Sequence, residues 1–142
     1  MRRRILLVDD HPVVRQGLAQ LINQKPDLLV CGEAANIDEG LAAAGALKPD
    51  LVVVDLSLGG EDGAQLIEQL KFQFPGLPVL VFSMHDERVA AQRALRAGAQ
   101  GYVMKQDALS HFFLAVKQIL EGEIYLSDEM RRRLFPLRPF AG

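Results

Sequence analysis

Five short apolar runs, at residues 5–8, 28–31, 51–54, 79–82 and 102–104, alternate along the chain with longer stretches whose apolar residues recur every three or four positions. Short runs that are apolar throughout predict strands buried on both faces, all of them central, and the longer periodic stretches predict helices. Val14, Leu18, Leu21 and Ile22 form one helical stripe before Pro26, while Ile37, Leu41 and Leu47 mark a second, alanine-rich helix ending near Pro49. Leu66, Ile67 and Leu70 mark a third, Val89 and Leu95 a fourth that stops at Gly98, and Leu109, Phe112, Phe113, Val116, Ile119 and Leu120 a fifth. Strand and helix alternating five times predict an α/β fold, a (βα)5 doubly wound parallel sheet with helices on both faces.

Beyond Gly122 the periodicity breaks down. Tyr125-Leu126-Ser127-Asp128 leads into a short helical stretch through Arg131, Arg132 and Arg133, then into an end containing Pro136 and Pro139. Residues 1–122 therefore read as one domain and 123–142 as a linker or frayed tail. A length of 142 residues with 49% apolar content suits one core and is too little for two. The formal charge of -2, from 16 basic and 18 acidic side chains, provides no global field for nucleic acid or an anionic membrane. The basic start Arg2-Arg3-Arg4 is followed by only four apolar residues before Asp9, too few for a signal peptide. No stretch approaches the ~20 apolar residues of a membrane span. Cys31, the one cysteine, excludes an internal disulfide and is expected as a buried core thiol in a reducing compartment. These features predict a soluble, cytoplasmic protein.

Candidate chemistry sits at the strand ends. In an open α/β sheet the functional crevice lies beyond the carboxyl ends of the strands, where the winding reverses. Asp9 and Asp10 follow the first strand and Asp55 the third, so a flavodoxin-like order of 2-1-3-4-5 brings three carboxylates into one pocket. Two such charges 4 Å apart repel by about 4 kcal/mol at an effective dielectric near 20, which calls for a cation. Oxygen ligands suit Mg²⁺ or Mn²⁺ rather than zinc. Lys105, past the fifth strand, and Ser83, past the fourth, add a cation and a hydroxyl at the same edge. Three carboxylates, a divalent ion and one lysine sum to zero charge.

Asp9-Asp10, Asp55, Ser83, Tyr102 and Lys105 fall in the order and approximate spacing of the two-component response regulator receiver domain, which residues 4 to 121 resemble. Val8-Asp9-Asp10-His11-Pro12, Ser83-Met84-His85-Asp86 and Gly98-Ala99-Gln100-Gly101-Tyr102 are similar to the NarL/FixJ (LuxR-type) subfamily. The resemblance implies that Asp55 accepts a phosphoryl group from a sensor histidine kinase, with Mg²⁺ bound directly by Asp10 and Asp55, through water by Asp9, and by the backbone carbonyl of Ser57. It implies further that Lys105 contacts a phosphoryl oxygen, that the Ser83 hydroxyl moves to bind the group, and that Tyr102 is an aromatic switch following Ser83. Such modules assist their own phosphoryl transfer and are regulators rather than enzymes. The implied output is a change in the face made by the fourth helix, fifth strand and fifth helix, altering dimerisation or partner contact and often regulating transcription.

Plainer readings stand beside these. Asp9 and Asp10 could be a turn and a helix N-cap, Lys105 a solvated surface lysine, Ser83 a loop hydroxyl, and Tyr102 a partly buried structural side chain. His11 and His85 flank the pocket without metal-site spacing and read as loop or capping residues; His85, two positions after Ser83, could also tune water attack on the acyl phosphate. The arginine runs read as solvated faces. Against the family pattern, Gly59, followed by Gly60, stands where a proline is frequent, predicting a flexible loop over 58–63, and Gln106 stands where a cis proline often follows the lysine. Only twenty residues follow Gly122, too few for the helix-turn-helix DNA-binding domain usual in this subfamily, so DNA contact is expected only through a domain missing from this chain. Competing functions are a receiver used only for docking, without phosphorylation, and a Mg²⁺-dependent aspartate-nucleophile phosphatase of the haloacid dehalogenase type. The second needs an acid two residues after the nucleophile, where Ser57 stands. A flavodoxin-like phosphate-binding module is disfavoured by Asp9-Asp10, which would repel the ligand.

Overall fold

The apolar runs become the strands of a parallel sheet in the computed structural model, which describes residues 2–134. Along the chain the strands are β1 (Arg3–Val8), β2 (Leu28–Ala34), β3 (Leu51–Val54), a small hairpin of β4 (Ser57–Leu58) and β5 (Glu61–Asp62), then β6 (Val79–Ser83) and β7 (Gly101–Met104). The helices are α1 (Pro12–Asn23), α2 (Ile37–Leu47), α3 (Gly63–Gln73), α4 (Glu87–Ala97), α5 (Leu109–Leu120) and α6 (Asp128–Leu134). The main sheet runs β2-β1-β3-β6-β7 with every pair parallel, which is the expected 2-1-3-4-5 winding.

Because successive strand residues point to opposite faces, the core divides into two layers. Leu6, Val8, Val52, Val54, Val79 and Val81 pack towards α2, α3 and α4; Ile5, Leu7, Leu51, Val53, Leu80 and Phe82 pack towards α1 and α5. Each fully buried aliphatic side chain is worth about 1.5–3 kcal/mol, so these two layers fix the sheet's register and thereby the alignment of its carboxyl ends.

Several local expectations change. Not all strands are central: β2 and β7 are the sheet edges. On β2 the pairing with β1 jumps from Val30 to Gly32, so Cys31 falls at a bulge and is only half-buried rather than a core thiol. Burial holds its pKa above the ordinary thiol value, with a smaller opposing pull from Arg4. The stripe expected on α4 is half right: Leu95 packs against the core, but Val89 is 80% exposed, and the buried face is Ala90, Ala91 and Ala94. Small residues there let α4 approach the sheet closely, which a sequence count of large apolar side chains does not register. The segment 58–63 is not an irregular loop. Ser57 pairs with Asp62 and Leu58 with Glu61, and Gly59 and Gly60 take φ of 58° and 92°, the positive values that a two-residue hairpin turn requires at both central positions.

Residues 123–134 also depart from a frayed tail. Tyr125 bridges Gly101 at the outer edge of β7, Leu126 and Met130 are buried, and α6 lies against α4. Pro136 and Pro139 lie outside the described residues.

Candidate functional site

Val8 and Val54 are partners across β1 and β3, so the next residue of each strand leaves the sheet at the same level. Backbone bonds hold that exit: the Asp55 N–H donates to Val8 O at 3.0 Å and the Asp9 N–H to Ala34 O at 3.0 Å. On the other side Ser83 pairs with Met104, and the Lys105 N–H donates to Ser83 O at 2.8 Å. Sheet register alone therefore brings together residues that lie up to 96 positions apart.

Lys105 Nζ donates to Asp9 Oδ2 at 2.7 Å and to Asp55 Oδ2 at 3.0 Å, with its side chain 7% exposed. A solvated surface lysine is thereby excluded. Burial pulls the ammonium's pKa down, but the hydrogen bonds and charges of Asp9 and Asp55 outweigh it and hold the value above the ordinary lysine range. Asp55 is 3% exposed, and its Oδ1 accepts the Ser57 N–H at 3.1 Å. Asp9 Oδ1 accepts the His11 N–H at 2.9 Å, a turn bond rather than a helix cap.

Asp10 is the carboxylate left over. Its Oδ1 is buried and has no hydrogen-bond partner; His11 Nδ1 lies 3.1 Å away without hydrogen-bond alignment. One ligand atom from each of Asp9, Asp10, His11 and Asp55 lies within 4.8 Å of the others. Three carboxylates against one lysine leave two formal negative charges, and a buried oxygen without a donor is the atom such a cluster would present to a cation. The residues present therefore fit a hard divalent ion.

His11 was expected as a loop or capping residue. It occupies the N-cap position of α1 yet makes no side-chain cap, and Nδ1 points instead at the acids, 3.0 Å from Asp9 Oδ1 and 3.7 Å from Asp55 Oδ2. Its position directly after the acid pair was the available signal. Pro12 fixes the first turn of α1 and so aims the loop.

Ser83, fully buried, and Tyr102, 1% exposed, meet through the backbone of His85: the His85 N–H donates to Ser83 Oγ at 3.2 Å, and the Tyr102 hydroxyl donates to His85 O at 2.7 Å. The His85 ring turns the other way, with Nε2 2.6 Å from Ser57 Oγ. Nothing in the sequence links Ser57 to His85, because the hairpin and the β6–α4 loop meet only in the folded chain. Asp86 then caps α4, accepting the Arg88 N–H at 2.8 Å. Among the described residues no helix is long and apolar enough to cross a membrane.

The chain has known relatives in sequence and in fold. Residues 5–117 match the family model of the response regulator receiver domain. The nitrate/nitrite response regulator protein NarL of Escherichia coli (strain K12) is 36% identical over 126 residues, covering 89% of this chain and 58% of that protein. The chain thus spans less than two thirds of that relative's length. A two-component response regulator of the LuxR family from Aurantimonas sp. SI85-9A1 superposes with a TM-score of 0.87 at 35% identity, covering 93% of this chain and 94% of that one. RcsB from Salmonella enterica serovar Typhimurium, solved bound to promoter P1flhDC in the presence of phosphomimetic BeF3⁻, gives a TM-score of 0.83 at 26% identity, covering 94% of this chain and 67% of that one.

Proposed function

The chain belongs to the response regulator receiver family, of the NarL/FixJ type, and from that premise we propose that it is a phosphorylation switch in which Asp55 accepts a phosphoryl group from a sensor histidine kinase. A carboxylate oxygen of Asp55 forms the new O–P bond as the phosphohistidine P–N bond breaks, and the histidine leaves. The observation that carries this reading is the buried Asp55 sharing Lys105 with Asp9 beside an Asp10 oxygen that lacks any donor.

Asp10 and Asp55 would hold Mg²⁺ or Mn²⁺ directly, Asp9 through water, and the Ser57 carbonyl would complete the protein's share. The ion, when bound, supplies charge neutralisation for the phosphoryl oxygens. Lys105 holds the nucleophile in place and then contacts a phosphoryl oxygen, and the Ser83 hydroxyl moves to donate to the group. Tyr102 follows Ser83 as the switch residue, changing the face of α4, β7 and α5 and with it homodimerisation or partner contact. Residues 1–122 act as the receiver and 123–142 as the linker to an output, transcriptional in character, whose contact with DNA belongs to a helix-turn-helix domain outside this sequence. The protein works in the cytoplasm as a regulator.

The test is intact-protein mass spectrometry after incubation with Mg²⁺ and acetyl phosphate, run beside Asp55→Asn and an EDTA control. One added phosphate, absent from both controls, is the expected result. No gain by folded protein would overturn the reading in favour of phosphorylation-independent docking.

A further inference from the structure

His11 is aimed at the acids, and the proposed switch makes no use of it. It stands in the N-cap slot of α1 without capping the helix, and its Nδ1 lies 3.0 Å from Asp9 Oδ1, 3.1 Å from Asp10 Oδ1 and 3.7 Å from Asp55 Oδ2. A single Nδ1–H can serve one of these oxygens. It faces Asp9 Oδ1 at hydrogen-bond distance and leaves Asp10 Oδ1 buried without a donor. Ligands at adjacent corners of an octahedron with bonds of about 2.1 Å stand about 3 Å apart. The imidazole nitrogen therefore keeps, towards Asp9 and Asp10, the spacing of one metal ligand beside others. Among the described residues this is the one group of acids and imidazole gathered so closely.

We propose that His11 Nδ1 is a direct ligand of the ion held by Asp10 and Asp55, and that it biases the site towards nitrogen-seeking transition ions such as Co²⁺, Ni²⁺ and Zn²⁺ over Mg²⁺. The inference rests on the cation site of the proposed function and adds to it a nitrogen donor and an ion class. Mg²⁺ takes oxygen ligands and dehydrates reluctantly, whereas imidazole suits the later first-row ions. Every site of this kind binds Ni²⁺ more tightly than Mg²⁺, so His11 is read from how far it widens that gap.

Charge supports a neutral fourth partner. Asp9, Asp10 and Asp55 against Lys105 leave two negative charges, which a divalent ion cancels, and a neutral imidazole keeps that balance. Ligation uses the ring with its proton on Nε2, and the His11 side chain, 54% exposed, leaves the far side of the ring access to water.

The loop is built to hold the ring where it is. The His11 N–H donates to Asp9 Oδ1 at 2.9 Å, and His11 O accepts the Arg15 N–H at 2.9 Å as α1 begins. Arg15 also donates to Asp9 O, while its Nε is anchored 2.8 Å from Glu33 Oε1 on β2. Pro12 fixes the first turn immediately after the histidine. From the other side the hairpin turn backs Asp10: a Cβ at Gly59 would stand 3.4 Å from Asp10 Oδ2. Backbone on both sides thus sets where the nitrogen and the acids meet, so the ligands are arranged before any ion arrives.

The test loads the protein with Mn²⁺, displaces it with Ni²⁺ or Mg²⁺ while free Mn²⁺ is counted by electron paramagnetic resonance, and compares wild type with His11→Asn and Asp10→Asn. Displacement reports only the shared site, so His85 and His111 do not enter. Asparagine is favoured at a helix N-cap, which keeps α1 intact in the variant. His11→Asn is expected to lower the ratio of Ni²⁺ to Mg²⁺ affinity at least about tenfold, since loss of even an outer partner of a metal ligand costs 10–100-fold. The spin echo of bound Mn²⁺ should carry an imidazole nitrogen modulation in wild type and none in His11→Asn. Bound Mn²⁺ without that modulation in wild type, or an unchanged affinity ratio in His11→Asn, would overturn the ligation and leave the cation site standing. Failure of folded wild type to bind Mn²⁺, or equal binding by Asp10→Asn, would overturn the cation site and the inference with it.

Discussion

Replacing Asp10 with asparagine should make the metal-free protein more stable. The ligand atoms of Asp9, Asp10 and Asp55 lie within 4.8 Å of one another, so each carboxylate pair repels by about 3.5 kcal/mol or more at an effective dielectric near 20. Lys105 offsets the Asp9–Asp55 pair, whereas Asp10 Oδ1 has no hydrogen bond that the substitution could break. The Asp10 side chain is 26% exposed, and solvent screens much of the repulsion. A net gain of about 1–3 kcal/mol remains, equal to several degrees in Tm for a chain of this size. Urea unfolding followed by circular dichroism in EDTA measures it. Repeated with Mg²⁺, the experiment separates site from scaffold. Wild type should gain about 2.7 kcal/mol at a hundred times its Kd, and Asp10→Asn should gain much less at the same concentration. A lower midpoint for Asp10→Asn in EDTA, or an equal Mg²⁺ increment in both proteins, would refute the reasoning.

Three other outcomes follow from the same geometry. Lys105 has a folded pKa raised above 10.5, so it binds its proton more tightly folded than unfolded; its contribution to stability is complete below pH 10.5 and is lost as pH rises through the higher folded value, which urea midpoints from pH 7 to 11.5 would register as a flat profile and then a fall. Gly63→Ala places a Cβ 2.3 Å from Asp55 O and 2.7 Å from Leu56 Cα, so it should cost about 1–3 kcal/mol and slow labelling by acetyl phosphate; an unchanged midpoint and rate would contradict that contact. His85→Ala frees Ser57 Oγ beside the phosphoacceptor and should change the phosphoryl half-life, so equal half-lives for variant and wild type would remove His85 from any part in dephosphorylation.

The sequence by itself determined the layered (βα)5 plan and the address of the chemistry. Short runs that are apolar throughout point to strands of a covered parallel sheet, and polar residues directly after them fall at the sheet's carboxyl edge, so the sequence alone places Asp9, Asp10, Asp55, Ser83 and Lys105 there. What depends on contacts between distant segments was decided only by the tertiary structure. The bulge that exposes Cys31 is a property of two strands in register, and the alanine face of α4 is defined by what packs against it. His11 turns towards the acids because they gather in front of it, and Ser57 meets His85 only once the hairpin folds against the β6–α4 loop. Residues 123–134 carry too little periodic apolar surface to predict a packed element, yet Leu126 and Met130 are buried because α4 and β7 supply the other half of their surface. Pattern reads what a segment must bury; which neighbour buries it is set by the assembled fold.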